Sequence, residues 1–366
     1  MIYLDNQATT PLAPEAREAM LPWLAGPESS GFANPHSPHR PGRIAAAAVE
    51  IAREKVAALL PPGGRVVFTS GATEALNLAI AGCGARRIAY SAIEHAAVSE
   101  PCRAVDPAAE ELAVDGKGLI DPDIPFPAGA ELICVMQVNN EIGTIQPVAR
   151  LAERARAAGA LFLCDAVQGA GKLPPPEGAD LIAISAHKLY GPKGIGALWV
   201  RDGVRLEPLM RGGGQEGGLR SGTLSPALCA GFGAAAELAL RRMSEDEAHL
   251  QALWQVARAA LPGFTLNGSA EQRWPGNLNA WREGLDVARL MSDLRTIAFS
   301  AGSACASGSG KPSHVLRAIG LEEKKARSSI RLGFGRYTRM SEVVEACTQI
   351  AAAAAAQQEF GVAGHD

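Results

Sequence analysis

Apolar positions along the chain follow two alternating rhythms. Short, largely apolar runs at 66–69, 87–91, 132–138, 161–164, 181–184 and 196–200 predict strands, and the four consecutive apolar residues 181–184 predict one buried on both faces of a sheet. Between and around them, stretches at 14–24, 44–60, 75–81, 148–158 and 226–240 carry helical spacing and are mostly alanine-rich. Strands alternating with helices predict an α/β fold, a mostly parallel sheet with helices on both faces. From about 245 the rhythm changes. A helix, short strands at 263–267 and 277–281, helices at 285–294 and 313–319, a strand at 329–332 and a terminal helix predict a smaller α+β domain. The expected division is a large domain over 12–245 and a small one formed by 1–11 and 246–366. The stretch 29–42, rich in Gly, Pro, His and Ser, lacks the pattern of an element and is expected to be a loop.

Polar residues recur just past several strand ends, where a doubly wound sheet concentrates its ligand chemistry. The run Leu181-Ile-Ala-Ile leads straight into Ser185, His187 and Lys188, then the turn formers Gly191 and Pro192. A lysine desolvated there loses its charge and forms a Schiff base, although a solvated lysine opening a loop fits the local pattern as well. Ser70-Gly-Ala-Thr-Glu74 puts small residues at a strand-to-helix turn, which suits a phosphate or is an ordinary capped turn. Asp165 is a turn residue or, buried under a heterocycle, the partner of a pyridinium N–H. His95 is a satisfied loop histidine or a ring that stacks on a cofactor and moves protons. Ser185 and His187 can donate to a phosphate. Pyridoxal phosphate needs a lysine, an acid, a stacking ring and a phosphate cradle, and it alone uses all of these together.

Composition narrows the field without changing that reading. With 366 residues, 47% hydrophobic and 20% charged, the chain has material for about two domains. Its formal charge of −3 offers no electrostatic reason to bind nucleic acid or an anionic membrane. No apolar run approaches the ~20 residues of a membrane span, and Met1-Ile-Tyr-Leu-Asp-Asn lacks a basic and then apolar leader pattern, so a cytoplasmic protein is expected. The seven cysteines form no C-x-x-C pair or zinc-like cluster, and no metal site is expected. Cys305 stands apart, in the small-residue stretch Ser300-Ala-Gly-Ser-Ala-Cys-Ala-Ser-Gly-Ser-Gly310, which is expected to be exposed and mobile. An exposed free thiol is a candidate nucleophile; a chance cysteine in a linker is as common.

The motifs Tyr3-Leu-Asp-Asn-x-Ala-Thr-Thr, Thr69-Ser-Gly-Ala-Thr-Glu-Ala, Glu94-His95, Asn139-Asn-Glu-Ile-Gly and Asp165-Ala-Val-Gln are joined by four more. These are Ser185-Ala-His-Lys-Leu-Tyr-Gly-Pro-Lys-Gly, Arg220-Ser-Gly-Thr, Gly302-Ser-Ala-Cys and Ile330-Arg-Leu. Through them the chain resembles, over essentially its whole length, the NifS/IscS-type cysteine desulfurases of the class V aminotransferases, fold type I of the pyridoxal phosphate enzymes.

The resemblance implies a mostly parallel, seven-stranded type of central sheet, and a smaller domain whose loop at about 300–311 carries the catalytic cysteine. It also implies roles: Lys188 carries the cofactor aldehyde, Asp165 meets the pyridine nitrogen, Gln168 faces the ring hydroxyl and His95 stacks on the ring. Ala72, Thr73, Ser185 and His187 would bind the phosphate, with Thr223 supplied by the other subunit of a homodimer. Asn140, beside the cofactor, and Arg331 would hold the substrate carboxylate, and Cys305 would accept the sulfur. The implied reaction converts L-cysteine to L-alanine and passes the sulfur to an acceptor protein such as an iron–sulfur scaffold, for cluster or other thio-cofactor synthesis. Two other readings remain at this point: a lyase for selenocysteine or cysteine sulfinate, and a non-catalytic scaffold of the same fold. The chain departs from the pattern at Gln7, where a small residue or Asn is usual, and in its short C-terminus.

Overall fold

The computed structural model describes residues 1–302 and 313–362, so Cys305 lies outside the described residues. The chain opens with strand β1 (Ile2–Tyr3) and helices α1 (Pro14–Met20) and α2 (Arg40–Ala57). Seven strands then build the main sheet: β2 (Gly64–Thr69), β3 (Ile88–Ser91), β4 (Glu110–Leu112), β5 (Leu132–Cys134), β6 (Leu161–Asp165), β7 (Leu181–Ser185) and β8 (Gly196–Arg201). Their order is β2-β8-β7-β6-β5-β3-β4. All neighbours run parallel except β8, which is antiparallel to both β2 and β7.

The period of two along each strand divides the core between the two faces. Val66 and Phe68 of β2 and Ile133 of β5 point into one apolar cluster, with α2 and the first half of α6 (Pro226–Ala259). Val67, Leu132 and Cys134 point the other way, against α3 (Ala72–Gly82) and α4 (Ala96–Val105). Every residue of β7 is buried, which is why its apolar run is unbroken. Helix α5 (Val148–Ala157) packs through Val148, Leu151 and Ala152 onto the first of these faces.

A second core surrounds a four-stranded antiparallel sheet in the order β12-β13-β10-β9. Its strands are β9 (Thr265–Leu266), β10 (Asn277–Trp281), β12 (Ser300–Ala301) and β13 (Ser329–Gly333), while β11 (Ile297–Ala298) pairs in parallel with β1. Helices α7 (Val287–Asp293), α8 (His314–Ala318), α9 (Glu323–Arg327) and α10 (Met340–Val362) accompany it. The boundary expected near 245 falls inside α6, which buries Phe232 and Ala236 in the first core and Leu250 and Leu253 in the second.

Two further differences have local causes. Helix α2 begins at Arg40, inside the stretch expected to be a loop. The His39 side chain accepts from Gly42 N at 3.2 Å and Pro41 presets the first turn, an end signal with no apolar periodicity. Strand β4 exposes two of its three residues, leaving no apolar run to read.

Candidate active site

A cavity of about 580 Å³ opens beyond the carboxyl ends of β6 and β7, a size that suits a small ligand. Lys188, Asp165 and His95 all line it. Lys188 ends the short 3-10 turn Ala186–Lys188 that follows β7, Asp165 is the last residue of β6, and His95 caps α4 just past β3. Three strand ends, those of β7, β6 and, beyond β5, β3, thus each deliver one functional side chain.

The Lys188 amine donates to two backbone carbonyls of the N-terminal segment, Gln7 at 2.5 Å and Ala8 at 2.8 Å. Burial raises the Asp165 carboxyl above its ordinary value, against the pull of the Val167 N–H (2.9 Å), His95 and Lys188. Burial lowers the His95 imidazole; Asp165 opposes this, while Lys188 and His314 add to it. His95 Nδ1 accepts from Ala97 N at 3.0 Å, so the neutral ring carries its proton on Nε2.

At one end of the cavity lies the turn into α3, lined by Gly71, Ala72 and Thr73. No side chain caps this helix, and a Cβ on Gly71 would meet nothing within 4 Å, so the first amides face open space. At position 196 on β8 a Cβ would sit 2.7 Å from the Gly71 backbone, which is why a glycine stands there and the turn can lie against the sheet. Glu74 returns to Ser70 N at 2.7 Å and pairs with Arg220 at 2.7 Å. Burial pushes its carboxyl up, but the bonds from Arg220 and Ser70 outweigh this and hold it below its ordinary value. Ser185 and His187 line the same cavity. His187 is lowered to about 4 by burial and by Lys188, Lys193 and Lys172, and its Nδ1 lies 3.1 Å from Thr9 Oγ1.

Arg331 arrives from β13 of the second sheet and is only 2% exposed. It donates to Asp5 Oδ1 (2.8 Å), Ser300 Oγ (3.3 Å) and the Asn140 carbonyl (3.1 Å), while its Nε is buried without a partner. A carboxylate is the complement of such a guanidinium. Asn140 also lines the cavity.

These placements fit pyridoxal phosphate. An amine, a buried acid and a half-buried ring surround the space, and uncapped helix amides close one end. Gln168 adds an acceptor: its Nε2 donates to Gln7 O at 3.0 Å and its Oε1 is buried with no partner, as a ring hydroxyl would require. Thr223 is exposed on the loop before α6 and does not line the cavity of its own chain. Among the described residues no cluster of His, Cys, Asp or Glu is placed to hold a metal ion.

Sequence reasoning passed over two features. The first is the segment 5–10, whose groups touch Lys188, Gln168, His187 and Arg331. It was read as a motif, and no periodicity marked its individual contacts. The second is Glu94, which is 1% exposed and accepts from Met136 N at 2.6 Å, with Oε2 unpartnered. Burial and then the charge of Asp165 push its carboxyl well above the ordinary range, against the Met136 bond. The unfolded chain sheds this proton at ordinary carboxyl pH and the folded chain keeps it, so stability falls as pH rises between those values. Glu94→Gln has no such proton, and its Tm falls less than that of the parent between about pH 5 and about pH 8. Parallel Tm profiles would refute this.

Known proteins share the sequence and fold of this chain. The aminotransferase class-V family model matches residues 2–345. The mitochondrial cysteine desulfurase of Drosophila melanogaster is 43% identical over 365 residues, covering 93% of this chain and 78% of that protein. Among solved structures, a NifS-like protein superposes with a TM-score of 0.88 at 31% identity, covering 96% of this chain and 98% of its own. A structure of SspA in complex with cysteine gives 0.80 at 35% identity, covering 93% and 100%. Matched by the family model over residues 2–345 and by relatives over more than nine-tenths of its length, the chain belongs to the class-V aminotransferases, the pyridoxal-phosphate-dependent family that includes the cysteine desulfurases.

Proposed function

We propose that this chain is a pyridoxal-phosphate-dependent cysteine desulfurase that moves the sulfur of L-cysteine onto Cys305 and releases L-alanine. The carrying observation is that one cavity joins an amine, a buried acid and a guanidinium with an unused donor: Lys188, Asp165 and Arg331. When bound, pyridoxal phosphate supplies an aldehyde for the substrate amine and a ring that draws electrons from Cα. Lys188 is the residue that would hold that aldehyde, and its free amine would be the base for the Cα proton. Asp165 would keep a proton on the ring nitrogen, Gln168 would meet the ring hydroxyl and His95 would pack against the ring. The amides of Ala72 and Thr73, with Ser185 and His187, hold the phosphate. Arg331 and Asn140 orient the substrate carboxylate.

The sulfur step balances without an added oxidant or reductant. The Cys305 thiolate bonds to the substrate sulfur as the Cβ–S bond breaks. That bond's electron pair stays with the substrate carbon and is protonated. One L-cysteine and one thiol give one L-alanine and one persulfide. The persulfide then passes to a sulfur-acceptor protein such as an iron–sulfur scaffold.

The working unit in this reading is a homodimer. Large apolar side chains are exposed at Leu21, Leu24, Phe32, Ile44, Ile51, Leu209 and Met210, and Thr223 lies outside the cavity of its own chain, as a residue that reaches the partner's phosphate would. We assign 12–245 to a large domain and 1–11 with 246–366 to a small one, supported by the separate apolar cluster around the second sheet. No helix among the described residues is long and apolar enough to cross a membrane.

The test is alanine formation from L-cysteine, with mass detection of one added sulfur on Cys305. Cys305→Ser keeps the yellow colour of the loaded protein and loses alanine formation by at least about 100-fold, because a hydroxyl does not replace a thiolate as the sulfur nucleophile. Full activity in that variant would reject the persulfide role.

A further inference from the structure

The Lys188 amine donates to two backbone carbonyls, Gln7 at 2.5 Å and Ala8 at 2.8 Å, from a segment about 180 residues away in the chain. The Gln7 carbonyl also accepts from Gln168 Nε2 at 3.0 Å, so one oxygen serves two cavity residues. A loop carbonyl holds such a position only if its residue is fixed.

Gln7 is fixed through its side chain. It is 4% exposed, and its Nε2 donates to Gly276 O at 2.7 Å, at the entrance to β10. Its Oε1 lies against Gly333 at the end of β13, where an added Cβ would overlap it at 1.8 Å. The neighbouring Asn6 Nδ2 donates to Gly333 O at 2.9 Å. The amide therefore reaches into the second sheet while the carbonyl of the same residue points into the cavity beside the first.

We propose that Gln7 is a positioning residue for the active-site amine: its side-chain amide, held by Gly276, fixes the backbone carbonyl that receives Lys188. The inference rests on the reading of Lys188 as the cofactor-holding lysine. It gives the second sheet a role beyond carrying Arg331, because it sets where the amine waits when it is not bonded.

The test uses Gln7→Met, which keeps the length of the side chain and removes the donor to Gly276; Gln7→Asn, one methylene short, serves if the methionine variant does not fold. In cofactor-stripped protein, reductive methylation with formaldehyde and a borane is followed at Lys188 by mass spectrometry, with the exposed Lys117 as internal standard. Lys188 is expected to label at least about threefold faster relative to Lys117 once its acceptor is loosened. In the loaded enzyme kcat for alanine formation falls about tenfold with KM within about twofold, as displacement of a reacting group requires. The labelling ratio decides the matter. If it stays within about twofold of the parent, even with a lower Tm, Gln7 is only structural and the proposal is overturned. A parent enzyme that makes no alanine would instead sink the desulfurase reading and leave the labelling result standing.

Discussion

Lys188→Ala lowers alanine formation from L-cysteine by about 10³-fold and leaves a protein that loses its yellow colour on dialysis. Two losses combine in this variant. The amine that holds the cofactor aldehyde is gone, and so is the base that takes the Cα proton. Among the described residues no second amine is placed to substitute. Lys193 lies at the cavity wall but is exposed, and Lys172 lines a separate, much smaller cavity. The fold itself is expected to tolerate the change, because the Lys188 side chain lines the cavity and bonds to carbonyls at its edge. Turnover equal to that of the parent would exclude pyridoxal chemistry at this site.

Asp165→Asn is expected to cost on the order of 10²–10³ in kcat while changing KM little. The amide keeps the shape and can still accept from Val167 N through its oxygen, so the turn after β6 survives. What it lacks is the negative charge. A carboxylate already raised by burial ionises because a positive partner repays the desolvation, and a ring N–H at the same spot is such a partner. Asparagine cannot keep that proton on the ring nitrogen, so electrons drawn from Cα are held less well. A kcat within about threefold of the parent would show that the acid does not face the ring nitrogen.

How much of this was legible from residues alone varies with the kind of signal. The strand Leu181–Ser185 and its lysine were readable because burial on both faces leaves an unbroken apolar run that ends abruptly in polar residues. Asp165, His95 and the turn into α3 were readable for the same reason, each standing at the end of such a run. Arg331 came only through resemblance: a single arginine in Ser329–Gly333 carries no local mark of being nearly inaccessible. The contacts of segment 5–10 were not legible, since they run between residues more than 150 positions apart and rest largely on backbone carbonyls, which every sequence possesses. The unbroken course of α6 was hidden as well, because the polar stretch around Glu245 looks like a break when it is the exposed and ion-paired middle of a helix.

Helix α6 has a consequence for how the molecule melts. At 34 residues it is a rod about 50 Å long, with one half embedded in each apolar cluster and Asp246, near its middle, bound to the guanidinium of Arg336 at 2.8 Å. Neither cluster can come apart without stripping its half of the rod, and a helix bared along one half loses much of what keeps the other half wound. Heat therefore meets a single cooperative structure, and calorimetry should trace one peak where a chain with two independent cores would show two.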